Sequence, residues 1–167
     1  MQRRVINMKK YAEILKKSEL FKGIDNADEI INTLNLNEKT YNKGSYVYSY
    51  GDSMSCLNMV AEGEVHIVKE DYWGNVSILT EIGVGGLFGE TYACLKNIPM
   101  QVSVEAVKKS VILEITIESI VKSGLIENLL FVIASKNFML TNKLEAMSQR
   151  TIRNKVMTYL STYFKLK

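Results

Sequence analysis

Few residues in this chain are suited to bond chemistry. There is one histidine, His66, and there are two cysteines, Cys56 and Cys94, far apart and outside any CxxC spacing. A Ser/His/Asp or Cys/His triad needs a base with an orienting partner, and His66 has none identifiable in the sequence. A metal enzyme needs several histidine or carboxylate ligands converging, which one histidine in a strand does not supply. Haem ligation through His66 is the alternative to a half-exposed strand residue. An iron–sulfur cluster normally takes four cysteines, so Cys56 and Cys94 read as partly buried free thiols, with thiol redox sensing as the alternative. The expectation is no enzyme, no metal and no cofactor. What remains is recognition of a small molecule. Gly83, Gly85, Gly86 and Gly89 precede Glu90, a spacing compatible with a loop that cradles an anion, although no Lys-Ser/Thr pair follows as in a P-loop. No arginine lies between Arg4 and Arg150, so this region lacks the planar bidentate cation that suits a phosphate.

These residues must be positioned by short strands. From Thr40 the apolar period becomes two, with Tyr46, Tyr48 and Tyr50 on one side and Val47 and Ser49 on the other. The three tyrosines, with Trp73, suit an aromatic pocket or a packed sheet face with wet hydroxyls. Gly51-Asp52-Ser53 reads as a turn, 57–61 as a strand, Glu62-Gly63 as a tight corner and 64–69 as the returning strand. Residues 71–75 form a hairpin loop before 76–81, and 101–106 and 110–116 read as two further strands. Repeated short strands with turn signals predict a mainly β, jelly-roll-like fold.

Helices flank the strands. Tyr11, Ile14 and Leu15 share a face of a helix over 8–17. A second helix is expected over 25–36, with Asp25 as its N-cap. After a short helix around 118–122, a long one runs from Ile126 to about Met147 without glycine or proline. Ile126, Leu130, Ile133, Asn137, Leu140, Leu144 and Met147 recur there at alternating steps of four and three, the spacing of a dimerisation seam. A buried Asn137 would fix register, with an effector contact or a solvent-facing rotamer as alternatives. Gln149-Arg150-Thr151 is a joint before a last helix whose apolar face is Ile152, Val156, Tyr159, Leu160 and Phe164.

With 47% hydrophobic residues over 167 positions, the chain can bury one core. No apolar run approaches the roughly 18–20 residues that span a bilayer, and the first residues lack the apolar core of a signal peptide. A cytoplasmic protein without a membrane contact is expected. Residues 136–167 carry seven basic side chains against Glu145 alone, six net positive charges, which leaves three net negative charges on the preceding residues. A basic end after an acidic body suits proximity to nucleic acid, and equally a solvated helix face.

The glycine-broken strands, the Gly89-Glu90 step, the heptad helix and the trailing basic helix together resemble the CRP/FNR family of bacterial transcription regulators. The resemblance extends from about Leu20 to Phe164. It implies a cyclic-nucleotide-binding-like β-roll with N-terminal helices and a long dimerisation helix over 1–149. Residues 150–167 then read as the start of a truncated winged helix-turn-helix domain. It further implies an effector pocket drawn from Gly89, Glu90, Thr91, Met100, Gln101, Lys136, Asn137 and Thr141. In family members that bind cyclic nucleotides an Arg-Ser follows the Gly-Glu by about ten residues. Here those positions hold Met100 and Gln101, and on the long helix Lys136, Leu140 and Thr141 stand where an arginine, a threonine and a serine are expected. Lys136 would be placed to pair with Glu90. The expected function is the sensor and dimerisation portion of a regulator. Its partners would be a second copy, an unidentified small effector other than cyclic AMP, and DNA. The alternative is a stand-alone module that binds a protein partner.

Overall fold

The computed structural model describes residues 8–95 and 97–165. They divide into two compact units, one ending at Asn128 and one beginning at Leu129. The first unit opens with α1 (Met8–Lys17), a single 3-10 turn (Glu19–Phe21) and α2 (Ala27–Thr33). On α1 the predicted face is buried at Tyr11 and Leu15.

Eight strands follow: β1 (Leu36–Tyr41), β2 (Tyr46–Tyr48), β3 (Cys56–Glu62), β4 (Val65–Glu70), β5 (Val76–Ile82), β6 (Leu87–Phe88), β7 (Ser103–Ala106) and β8 (Ser110–Thr116). They pair antiparallel in two four-stranded sheets, ordered β1-β8-β3-β6 and β2-β7-β4-β5. The core of the roll is an apolar cluster that includes Val47, Val60, Val65, Phe88, Val104 and Ile112. In β3 and β8 the alternate residues Leu57, Met59, Leu113 and Ile115 are also fully buried. The first sheet is therefore covered on both faces, and its central strands read as continuous apolar runs. Strand β5 is the opposite case, an edge strand exposed from Val76 to Glu81.

Two short helices close the first unit, α3 (Glu90–Leu95) and α4 (Ile117–Lys122). Thr116 caps α4, its hydroxyl accepting from Ser119 N at 3.2 Å. The long helix α5 (Ile126–Ser148) begins in this unit and continues through the second, where α6 (Ile152–Lys165) follows a break at 149–151. No helix of the described residues is long and apolar enough to cross a membrane.

Two local expectations need correction. The helix predicted over 25–36 spans only Ala27–Thr33, and Asn26, not Asp25, sits at its N-cap, without a side-chain cap bond. Tertiary pairing ends it. Asn35 N donates to Ser119 Oγ at 2.9 Å, and Leu36 takes a ladder position opposite Ile115. Strand structure thus begins at Leu36, ahead of Thr40. The glycine-rich stretch also contains more regular structure than bends alone, since β6 lies within it and α3 directly follows Gly89.

Candidate functional site

Strand β6 ends in Gly89, whose φ is +85°. That conformation is left-handed and favours glycine. An added Cβ would run into Met54 Sδ and lie 3.2 Å from Asn58 Nδ2. Gly89 O accepts from Ala93 N at 2.9 Å, which starts α3. Glu90, the first residue of that helix, is buried, while Thr91 is exposed. The predicted Gly89-Glu90-Thr91 step is therefore a strand-to-helix corner closed against the roll.

Met100 is 2% exposed and belongs to the interior apolar cluster with Met54 and Phe88. Its backbone is held on both sides, donating to Asp52 O at 2.9 Å and accepting from Gly51 N at 2.8 Å. The Gly51–Asp52 turn predicted from sequence thus fixes which way residue 100 faces. Gln101 is exposed, and its N–H donates to the Tyr92 hydroxyl at 3.1 Å. Lys136, Asn137 and Thr141 lie on α5 in the second unit. There Thr141 Oγ1 donates to Asn137 O at 3.0 Å.

The predicted seam of α5 is largely solvent-facing in the single chain. Leu130, Leu140, Leu144 and Met147 are 65, 60, 67 and 69% exposed, and Ile133 is half-buried. The buried residues of this helix are Leu129, Val132 and Ala146. Asn137 is exposed.

A polar network in the roll was not anticipated. Cys56, Asn58 and Val60 share one face of β3, and Ile112 and Glu114 share one face of β8, the face that carries the core. Glu114 is 7% exposed. One carboxylate oxygen accepts from Asn37 Nδ2 at 2.8 Å. The other accepts from the Tyr48 hydroxyl at 3.2 Å and pairs with Lys39 Nζ at 2.7 Å. The Tyr48 hydroxyl also lies 3.3 Å from Asn58 Oδ1. Burial, then the Glu114 charge, holds the Tyr48 hydroxyl well above its ordinary pKa. The Glu114 contact raises Lys39 above the usual lysine value against an opposing effect of burial. The network neutralises its one buried carboxylate and employs its one cation in doing so. It presents no free positive charge to a phosphate. A charged residue inside the apolar run Val111-Ile112-Leu113-Glu114-Ile115 was the available signal in the sequence.

Of the tyrosines expected on one face, only Tyr48 turns inward; Tyr46 and Tyr50 are exposed. The ladder between β2 and β7 is irregular between Tyr46 and Tyr48, which breaks the simple alternation. Cys56 is half-buried and Cys94 exposed, both free. Burial and the nearby Glu90 push the Cys94 thiol up, away from a reactive thiolate. His66 lies on the outer face of the second sheet, since its neighbours Val65 and Ile67 pack on the core.

A family model described as the cyclic nucleotide-binding domain matches residues 38–123. No curated protein matches by sequence. Solved structures are similar. The catabolite activator protein of Thermus thermophilus has 24% identity and a TM-score of 0.68, covering 78% of this chain and 63% of that one. The sensor domain of the transcriptional regulator DNR from Pseudomonas aeruginosa has 16% identity and a TM-score of 0.68, covering 87% of this chain and 97% of that domain. The regulatory domain of Toxoplasma gondii PKA, solved with cAMP, has 27% identity and a TM-score of 0.57, covering 68% and 42%. This chain spans less than two thirds of the Thermus and Toxoplasma chains.

Proposed function

Because the chain belongs to the cyclic nucleotide-binding domain family, we propose that it is the sensing portion of a transcription regulator of the CRP/FNR type, and that its effector is not a cyclic nucleotide. The observation that carries the second clause is Met100. It stands where the family resemblance expects the phosphate-clamping arginine, and it is buried among apolar side chains. A thioether there supplies neither charge nor donors. In the polar network around Glu114 the one cation, Lys39, is already paired with that carboxylate. The Toxoplasma domain was solved with cAMP, so the shared fold admits that ligand. The residues at 100 and 101 are what argue against it here.

The exposed apolar stripe of α5 supports a homodimer through Ile126, Leu130, Ile133, Leu140, Leu144 and Met147. An effector in the roll would bias the packing of the paired helices, and that packing would orient attached DNA-binding elements. This is a two-state coupling between distant sites. A second reading, a module that docks a protein partner, is favoured by the β4–β5 hairpin. Its tip exposes Tyr72 and Trp73 at 95 and 82%, and β5 is an open edge beside them.

Calorimetric titration of the chain with cAMP and cGMP tests the reading. A charge-assisted hydrogen bond contributes about 1.5–3 kcal/mol, so a missing clamp weakens binding by at least about ten- to a hundredfold. Binding in the millimolar range or none is expected. Low-micromolar binding of either nucleotide by the unmodified chain would overturn the proposal.

A further inference from the structure

The lone histidine sits among carboxylates on the outer face of the second sheet. Val65, Ile82, Val104 and Ala106 point into the core from β4, β5 and β7. Strict alternation then turns Glu64, His66, Glu81 and Glu105 outward together. Strand β4 is central to this arrangement, because it pairs with both β5 and β7. The register sets His66 opposite Glu81 on one side and opposite Glu105 on the other. Glu64, two residues before His66, shares its face. His66 Nε2 lies 3.3 Å from Glu64 Oε1 and 4.0 Å from Glu81 Oε1. One ligand atom from each of the three falls within 4.8 Å of the others.

These spacings suit a metal ion. Donors about 2.1 Å from a tetrahedral zinc stand about 3.4 Å apart. The Glu64–His66 edge already has that length. Glu81 has to close by about half an ångström on His66 and by up to about 1.4 Å on Glu64, and its side chain, 67% exposed, is free to swing. Glu64 is held in place from behind: Lys108 Nζ is 2.5 Å from Oε2, which turns Oε1 toward His66. Such support of a ligand by a neighbouring group is how metal sites fix their donors. The backbone contributes too, because the Ser110 hydroxyl accepts from Glu64 N at 3.0 Å.

We propose that Glu64, His66 and Glu81 form a binding site for a first-row divalent transition metal, zinc being the probe of choice, with Glu105 as the adjacent carboxylate. One imidazole with two carboxylates suits zinc, manganese or iron rather than calcium or magnesium. The site would tie the exposed edge strand β5 to β4, outside the roll interior and independent of any effector there. It revises the expectation that one histidine rules out a metal, since two glutamates from adjacent elements complete the ligand set.

The chain's single histidine makes the test direct. Proton NMR of the chain, free of any histidine tag, gives one imidazole Cε1–H signal. Zinc chloride should shift or broaden that signal, with saturation at one equivalent. Glu81→Gln, an exposed and conservative change, should raise the zinc concentration at half-saturation by at least about tenfold. Cys94→Ser should leave the response as in the parent. Three outcomes overturn the proposal: an imidazole signal unmoved by millimolar zinc, an unaltered titration in Glu81→Gln, or a response lost in Cys94→Ser. Matching amide spectra of the variants before zinc is added exclude misfolding as the cause.

Discussion

Gly63 and Gly89 carry nearly the same left-handed backbone, φ +86° and +85°, so alanine strains both alike, by about 1–2 kcal/mol. Their surroundings differ. At Gly89 a new Cβ meets the far end of the Met54 side chain. Met54 can rotate aside at a cost of about 0.5–1.5 kcal/mol, for a total near 2–3 kcal/mol. At Gly63 the Cβ meets backbone: Lys109 O at 2.5 Å and Ser110 Cα at 2.7 Å, along with Ser110 Oγ. Ordinary contact begins at 3.4 Å, so β8 has to draw back at its first residue. The Ser110 hydroxyl, which engages Glu64 N at 3.0 Å and Lys108 O at 2.9 Å, loses its partners. Two hydrogen bonds at about 1 kcal/mol each, added to the strain, give roughly 3–4 kcal/mol. Urea unfolding followed by circular dichroism measures both variants. With a slope near 2 kcal/mol/M, the Gly63→Ala midpoint should fall roughly 0.5 M or more below that of Gly89→Ala. Equal midpoints, or a lower one for Gly89→Ala, would show that the corner at Gly63 yields more readily than its neighbours imply.

The buried network predicts alkaline instability. Tyr48 and Lys39 both have folded pKa values raised above the unfolded ones, so their stabilisation is complete below about pH 10 and is lost as pH rises beyond it. Tyr48→Phe should therefore show a shallower decline in urea stability between pH 9 and 11 than the parent chain; parallel declines would contradict the assignment. Leu140→Glu places an unpaired charge in the proposed α5 seam, and light scattering on a sizing column should show dimer converting to monomer. A parent chain that is monomeric at high micromolar concentration would rule the seam out.

How much of this was legible follows from what each element is made of. Strand β8 is legible at its observed limits, Ser110–Thr116, because it is an apolar run, interrupted by Glu114 alone, between polar residues. The 71–75 loop was legible because Asp71 is a turn former, and its carboxylate accepts from Trp73 N and Asn75 N, each at 2.9 Å. Strand β1 was not, since Asn37, Glu38, Lys39 and Thr40 are all exposed and leave no alternation. Pairing with β8 makes it a strand. Helix α3 is six residues long, too short for a periodic signal, and lies behind four glycines. The long α5 helix was legible, but the dimerisation proposed for it concerns a face that the single chain leaves exposed.

The same limit governs the two clusters that carry chemistry. Glu114 gathers Asn37, Lys39 and Tyr48 from two other strands, and their sequence separations of 66 to 77 show nothing until β1, β2 and β8 are placed. Glu81 is fifteen positions from His66 and meets it only because the β4–β5 ladder sets the two opposite each other. A slip of one residue in that ladder would turn Glu81 inward and Ile82 outward. Burial of Ile82 in the core therefore holds Glu81 beside His66. Ile82→Ser, which weakens that anchor, should degrade zinc binding without touching a ligand, and Val84→Ser, at a residue exposed beyond the end of β5, should not. The outer cluster thus depends on packing at the inner face.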